Sequence, residues 1–373
     1  MIYFDNASTT FPKAPNVEKD LQVALEKYSF NAGRGGYKEA GDTALMIDET
    51  RSKVASLLNA SVDKSSVVFT STITEAINSV LYGLNLEEGA DVYVSPFEHN
   101  AVLRALYNMK VSIHILPFNR ETYEPDYNKI KALFLMSPPE VVILSQISNV
   151  VGFELPYNEI FALAHKHKAV CILDAAQGFG IYNIDPSDVD IVAFEGHKSL
   201  YSIYGSAGFI NLIKIRLLPV KVGGTGSDSL NLEMPSDLPY RYEAGTYNSF
   251  SLYVLSKSID WVKSTNIKAI NECNTQYLIE RLVLLDKVTV YYNHKDLPKG
   301  IVSFNIEGAD SGDVAKNLYE KANIAVRSGF HCSAFVHNFL GTDTEGGTVR
   351  VSLGAFNTSK EVDTLVSVLK EKR

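Results

Sequence analysis

Lys198 and Asp174 are the residues whose types and settings first suggest chemistry. Asp174 closes the apolar run 169–174 and is followed by Ala175, Ala176 and Gln177. A carboxylate at the exit of a buried strand is costly unless it meets a cation; read alone, it is equally a helix N-cap or a turn aspartate. A second apolar run, 191–194, leaves through Glu195, Gly196 and His197 to Lys198. Lysine becomes a Schiff-base nucleophile when burial and its surroundings lower its pKa. Pyridoxal 5'-phosphate (PLP) needs such a lysine and a partner for its pyridine nitrogen. Asp174 suits that second task, because a carboxylate there would keep the nitrogen protonated and the ring an electron sink.

A phosphate asks for a helix N-terminus, where unpaired N–H groups and the helix dipole favour anions. The run Thr70-Ser71-Thr72-Ile73-Thr74 follows a strand-like segment and opens an amphipathic helical stretch, 75–84. Simple N-capping by Thr72 or Thr74 explains the same residues and is compatible with a phosphate. His99 follows another strand-like run and is placed to lie against a ring, although a loop histidine by itself is as well explained by solvation.

The elements that must hold these residues are legible in the periodicity. Runs 67–70, 91–95, 112–117, 141–146, 169–174 and 191–194 read as strands, several of them continuously apolar, as strands covered on both faces are. Helical patterns such as 75–84 and 157–168 lie between them. This alternation predicts an α/β fold with a mostly parallel sheet, whose ligands sit beyond the C-terminal strand ends. After about residue 264 a helical stretch (267–285) leads to strands at 288–292, 301–306 and 324–327 and a last helix over 359–370. The expected organisation is a large domain over 15–264 and a small α+β domain over 265–373, with residues 1–14 packing on the latter.

Composition narrows the function classes. A net charge of -8 speaks against a nucleic-acid partner, which would meet a basic face. No apolar stretch reaches the roughly 20 residues that span a bilayer, and the N-terminal residues lack a basic-then-apolar signal pattern. Three dispersed cysteines, Cys171, Cys273 and Cys332, fit a reducing, cytoplasmic setting and have no metal-site spacing, so no metal is expected. The His165–Lys168 run reads as a solvated helix end.

Taken in order, the motifs resemble the class V aminotransferase family, in particular its cysteine desulfurase and selenocysteine lyase branch. The resemblance rests on segments 3–10, 31–36, 74–78, 98–100 and 148–152, on Asp174–Gln177 and Gly196–Lys198, and on 242–248, 327–332, 348–352 and 356–358. It implies the type I PLP-dependent fold, with a mostly parallel central sheet in a large domain and a smaller α+β domain. It also implies a homodimer acting on a small amino acid, L-cysteine in the desulfurase branch, with a sulfur-acceptor protein as a possible partner. Lys198 would carry the cofactor, His99 stack on its ring, Asp174 meet its nitrogen and Gln177 its phenolic oxygen. Ile73, Thr74 and His197 would contact the phosphate, and Thr246 would reach it from the other subunit. Asn149, Arg350 and Arg34 would bind substrate, Arg350 as the carboxylate anchor through its planar fork. Cys332 would take the sulfur as a persulfide, its thiolate favoured by a protonated His331 or an arginine, in a segment (327–333) that reads as a loop. Cys171 reads as core, and Cys273 as structural.

Five positions depart from the family pattern. Glu195 stands where serine or threonine is usual beside the phosphate, and a carboxylate repels a phosphate dianion. Tyr247 replaces a common proline, Ser202-Ile203 replaces glycine–proline, and Tyr37 a frequent histidine. Two rival readings stay open: another PLP enzyme of this fold (an aminotransferase, or a lyase on a different C–S or C–Se substrate), and a non-enzymatic scaffold.

Overall fold

The computed structural model describes residues 1–371 apart from positions 34, 59, 227 and 228. The first part of the chain runs β1 (Ile2–Tyr3), α1 (Val17–Lys27), α2 (Lys38–Ala55), β2 (Val67–Thr70), α3 (Ile73–Gly83), β3 (Asp91–Val94), α4 (Asn100–Met109), β4 (Ser112–Ile115), α5 (Tyr127–Met136) and β5 (Val141–Ser145). Then follow α6 (Tyr157–His165), β6 (Val170–Asp174), β7 (Ile191–Glu195), β8 (Ala207–Asn211), α7 (Ser249–Ser264) and α8 (Ile267–Leu282). The chain ends with β9 (Val288–Tyr291), β10 (Ile301–Ile306), α9 (Ser311–Ala322), β11 (Ile324–Ala325), β12 (Arg327–Gly329), α10 (Ala334–Leu340), β13 (Thr348–Ser352) and α11 (Ser359–Lys370).

A seven-stranded sheet in the order β2-β8-β7-β6-β5-β3-β4 forms the centre. Only β8 runs against the others, pairing antiparallel with β2 and β7. β5, β7 and β8 are buried at every position, because helices cover both faces of the sheet and leave no strand side to water. Two apolar clusters flank it. One includes Phe134, Phe161, Phe179 and Phe194; the other includes Ile77, Val80, Leu81 and Phe209. β2, β3, β4 and β5 each return through a helix and β6 reaches β7 through a helix-free turn segment, so the C-terminal ends of the parallel strands share one edge of the sheet. That edge receives the residues singled out above: Thr70 leading to α3, the turn after β3 leading to His99, Asp174 ending β6, and Glu195 ending β7.

The C-terminal part folds around an antiparallel sheet in the order β12-β13-β10-β9. Its core joins Val302, Phe304, Val349 and Val351 to Leu278, Leu318 and Leu365 from α8, α9 and α11. Helix α11 starts with a capping box between Thr358 and Glu361, which satisfies two N-terminal donors reciprocally. The first residues return here: β1 pairs in parallel with β11, and Phe4 enters the same core. The segment read as a 327–333 loop is in part strand β12, paired with β13.

Candidate active site

β7 is the element that places Lys198. After Glu195 the chain turns through Gly196, whose N–H donates to Ser206 O at 2.7 Å. A side chain at Gly196 would run into that same carbonyl, so glycine is required for the close approach. The turn is held from the other side by the N-terminal segment: the His197 carbonyl accepts from Lys13 Nζ at 2.9 Å and from the Thr9 and Thr10 hydroxyls, each at 3.2 Å. His197 Nδ1 lies 3.1 Å from Thr9 Oγ1.

Burial pushes the Lys198 ammonium down from its ordinary pKa, against the opposing pull of Asp174 and Glu195. Burial likewise pushes the Asp174 carboxyl up, against a 3.0 Å hydrogen bond from Ala176 N–H and the charge of Lys198. A lysine whose pKa is lowered thus sits within electrostatic reach of a buried carboxyl group.

His99 caps α4 and accepts from Ala101 N–H through Nδ1 at 3.0 Å. Its pKa is held down to about 3, by burial first and then by Lys198, Arg327 and Arg350. The ring is therefore neutral and carries its proton on Nε2. Beneath it, Glu98 is fully buried and bonded to Ser95 and to both the N–H and hydroxyl of Ser145; burial raises it to about 7. Gln177 donates to Ala7 O at 3.0 Å.

Arg350 is 2% exposed on β13. Nη1 donates to Asn149 O at 2.8 Å, and Nη2 to Asp5 Oδ1 and Ser8 Oγ, both at 2.9 Å. Its Nε is buried without a partner. Asn149 donates to His331 O and accepts from Ser333 Oγ, both at 2.8 Å. A buried guanidinium with an unfilled donor is ready for a second carboxylate.

Cys332 is exposed. Its carbonyl accepts from Asn100 N–H at 2.7 Å, which ties it to the start of α4 directly after His99. Arg327 Nη2 lies 3.5 Å from Sγ, while Nη1 donates to Ser8 Oγ at 2.8 Å. Both His331 and Cys332 have positive φ, 48° and 57°, a conformation costly for side-chain-bearing residues. His331 is not the cation beside the thiol. It is buried, bonded through Nε2 to Thr348 O and Oγ1 at 3.0 and 2.9 Å, and burial holds its pKa down to about 2. Arg327 supplies the charge.

The structure therefore brings Lys198, Asp174, His99, His197, Asn149, Gln177, Arg350 and Cys332 around one edge of the central sheet. Ile73 and Thr74 open α3 at that edge, where Ile73 N–H donates to Glu195 Oε2 at 3.0 Å. Thr246 is exposed and lines a surface hollow with Thr70, Ser71 and Glu75. Arg34 lies outside the described residues. Asp5 and Ser8, which hold Arg350 and Arg327, escaped the sequence reading as site residues; their signal was membership of the 3–10 segment that carried the resemblance. Among the other cysteines, Cys171 is core in β6, but Cys273 is exposed on α8. His165 is not simply solvated: it contacts Asp190 at 3.1 Å and Asp188 at 3.5 Å.

The pattern of the family described as aminotransferase class-V matches residues 2–365. The chain belongs to the class V aminotransferase family. Within it, the chain is 33% identical to a probable cysteine desulfurase of Methanothermobacter thermautotrophicus, over 99% of this chain and 94% of that one. It is 26% identical to a cysteine desulfurase of Haloferax volcanii, over 100% of this chain and 89% of the relative. Among solved structures, the apo cysteine desulfurase of Thermococcus onnurineus superposes with a TM-score of 0.90 at 26% identity, covering 100% and 94% of the two chains. A cysteine desulfurase of Escherichia coli superposes with a TM-score of 0.83 at 26% identity, covering 99% and 94%. The fold with its mostly parallel sheet is thus shared with both solved structures. No helix among the described residues is long and apolar enough to cross a membrane.

Proposed function

We propose that this class V enzyme is a PLP-dependent cysteine desulfurase, which removes sulfur from L-cysteine, releases L-alanine and leaves a persulfide on Cys332. The observation that carries the reading is the tether of Cys332 to the start of α4, next to His99, with Arg327 beside its sulfur. An aminotransferase needs no thiol there. The names of the relatives support the same activity.

The residues fit the ring of PLP. A half-buried lysine and a buried carboxyl group stand beyond neighbouring strand exits, and the neutral imidazole of His99 suits stacking. When bound, the cofactor supplies an electron sink conjugated to the substrate Cα. Arg350 binds the substrate carboxylate and fixes its orientation, with Asn149 alongside. Lys198, its pKa lowered, takes and returns the proton at Cα. The Cys332 thiolate attacks the substrate sulfur: the new S–S bond forms, and the C–S bond breaks with its electron pair left on carbon, which then takes a proton. The overall change converts L-cysteine and the Cys332 thiol into L-alanine and the Cys332 persulfide, with no external oxidant.

The reading extends to a homodimer in which Thr246 serves the other subunit's cofactor, to Arg34 near the substrate, and to a protein that accepts the sulfur. Residues 15–264 would form the cofactor domain, with 265–373 and residues 1–14 forming the smaller one. Three unpaired cysteines support a cytoplasmic, reducing setting. The test is Cys332→Ala, which should keep the cofactor's visible absorbance and stop sulfide release. Full sulfide release from that variant would remove Cys332 from the reaction.

A further inference from the structure

The N-terminus of α3 is the helix end that β2 delivers to the active-site edge, and two of its donors, together with the Ser71 N–H just before it, are already engaged. Ile73 N–H donates to Glu195 Oε2 at 3.0 Å, Ser71 N–H to Glu75 Oε2 at 2.9 Å, and Glu75 N–H to Thr72 Oγ1 at 3.1 Å. Two carboxylates and a hydroxyl thus occupy donors at a helix end of the kind that binds anions. Glu195 is only 2% exposed, and its second oxygen, Oε1, is buried without a hydrogen-bond partner. Facing it are Lys198 and His197 from its own segment, the latter with Nε2 at 3.6 Å, the backbone N–H groups of Gly196 and His197, Lys13 from the N-terminal segment, and the Ile73 N–H of α3.

We propose that the Glu195 carboxyl occupies the seat of the cofactor's phosphate, so that the phosphate adds little affinity and pyridoxal with a free 5'-hydroxyl binds nearly as well. This rests on the reading of Lys198 as the cofactor lysine. The chemistry favours the unphosphorylated aldehyde in two ways. A phosphate dianion brings acceptors and negative charge to a helix end already holding carboxylates. A hydroxymethyl group brings the donor that the unpaired Oε1 lacks, and a buried acceptor left unsatisfied is costly.

The test is absorbance titration of cofactor-free protein with PLP and with pyridoxal, on wild type, Glu195→Thr and Glu195→Gln. Wild type should bind the two aldehydes with Kd values within about tenfold of each other. Glu195→Thr, which frees the Ile73 N–H and removes the charge, should shift the ratio at least about tenfold toward PLP. Glu195→Gln keeps the shape and the hydrogen bond and should shift it in the same direction by less; it decides the matter should the threonine variant not fold. Visible bands with both aldehydes and a ratio that moves by less than about threefold, or toward pyridoxal, would overturn this inference alone. No band with either aldehyde in any of the proteins would overturn the reading of Lys198 and this inference with it.

Discussion

Replacing Glu195 by glutamine should change how stability depends on pH. Glu195 rises from an ordinary value of 4.5 to about 7, chiefly by burial, with the Ile73 N–H and Lys198 pulling the other way. A carboxyl raised in the folded state gives its full stability below pH 4.5 and loses it as pH climbs through 7. Between pH 5 and pH 8 the loss from this group is about 2.5 kcal/mol by proton linkage. Glutamine keeps an acceptor for the Ile73 N–H and has no proton to lose. The unfolding entropy of a chain of 373 residues is about 0.8 kcal/mol/K, so the melting temperature of Glu195→Gln should gain about 3 °C on wild type over that interval. Thermal melts of both cofactor-free proteins, in matched buffers at several pH values, measure the difference directly. A gap between the two that stays constant from pH 5 to pH 8, or that narrows, would refute the buried carboxyl with a raised pKa.

Other consequences can be measured independently. Arg350→Lys removes the fork that meets Asn149 O, Asp5 and Ser8, and should raise KM for L-cysteine by about tenfold or more with a smaller change in kcat, in steady-state alanine release. Arg327→Gln takes away the cation 3.5 Å from Cys332 Sγ, and alkylation of Cys332 by iodoacetamide at neutral pH should slow several-fold. Arg51 and Glu243 form a buried two-pronged pair at 2.7 and 2.8 Å, with Phe69 N–H and the Tyr247 hydroxyl also on the carboxylate. Glu243→Ala should cost about 3–5 kcal/mol in urea unfolding, since it strands a buried guanidinium; a cost below 1 kcal/mol would contradict that.

The sheet was legible where strands are covered on both faces, because an uninterrupted apolar run such as Val141–Ser145 has no competing pattern. β8 was not, because Ala207–Asn211 contains Gly208 and ends in a buried asparagine. A side chain at Gly208 would collide with Val68 O, a constraint set by tertiary packing. Helix α2 was equally hidden: its buried face includes Thr43, Thr50 and Arg51, and Arg51 is tolerated there only because Glu243 arrives from far along the chain. In the site, strand exits advertised Asp174 and Lys198. The positions of Asp5 and Ser8 depend on β1 returning to β11, which no local pattern encodes. The sequence likewise marked Glu195 as out of place, but not that its carboxyl takes the Ile73 N–H. His331 looked like a cation beside the thiol until burial and Thr348 made it neutral.

The most direct test of the desulfurase reading is the product balance from L-cysteine with a thiol reductant, in wild type and Lys198→Ala. The account predicts equal amounts of alanine and sulfide from wild type and neither from the variant. Pyruvate or another keto acid in place of alanine, or cysteine left untouched by protein carrying the cofactor's visible absorbance, would contradict it.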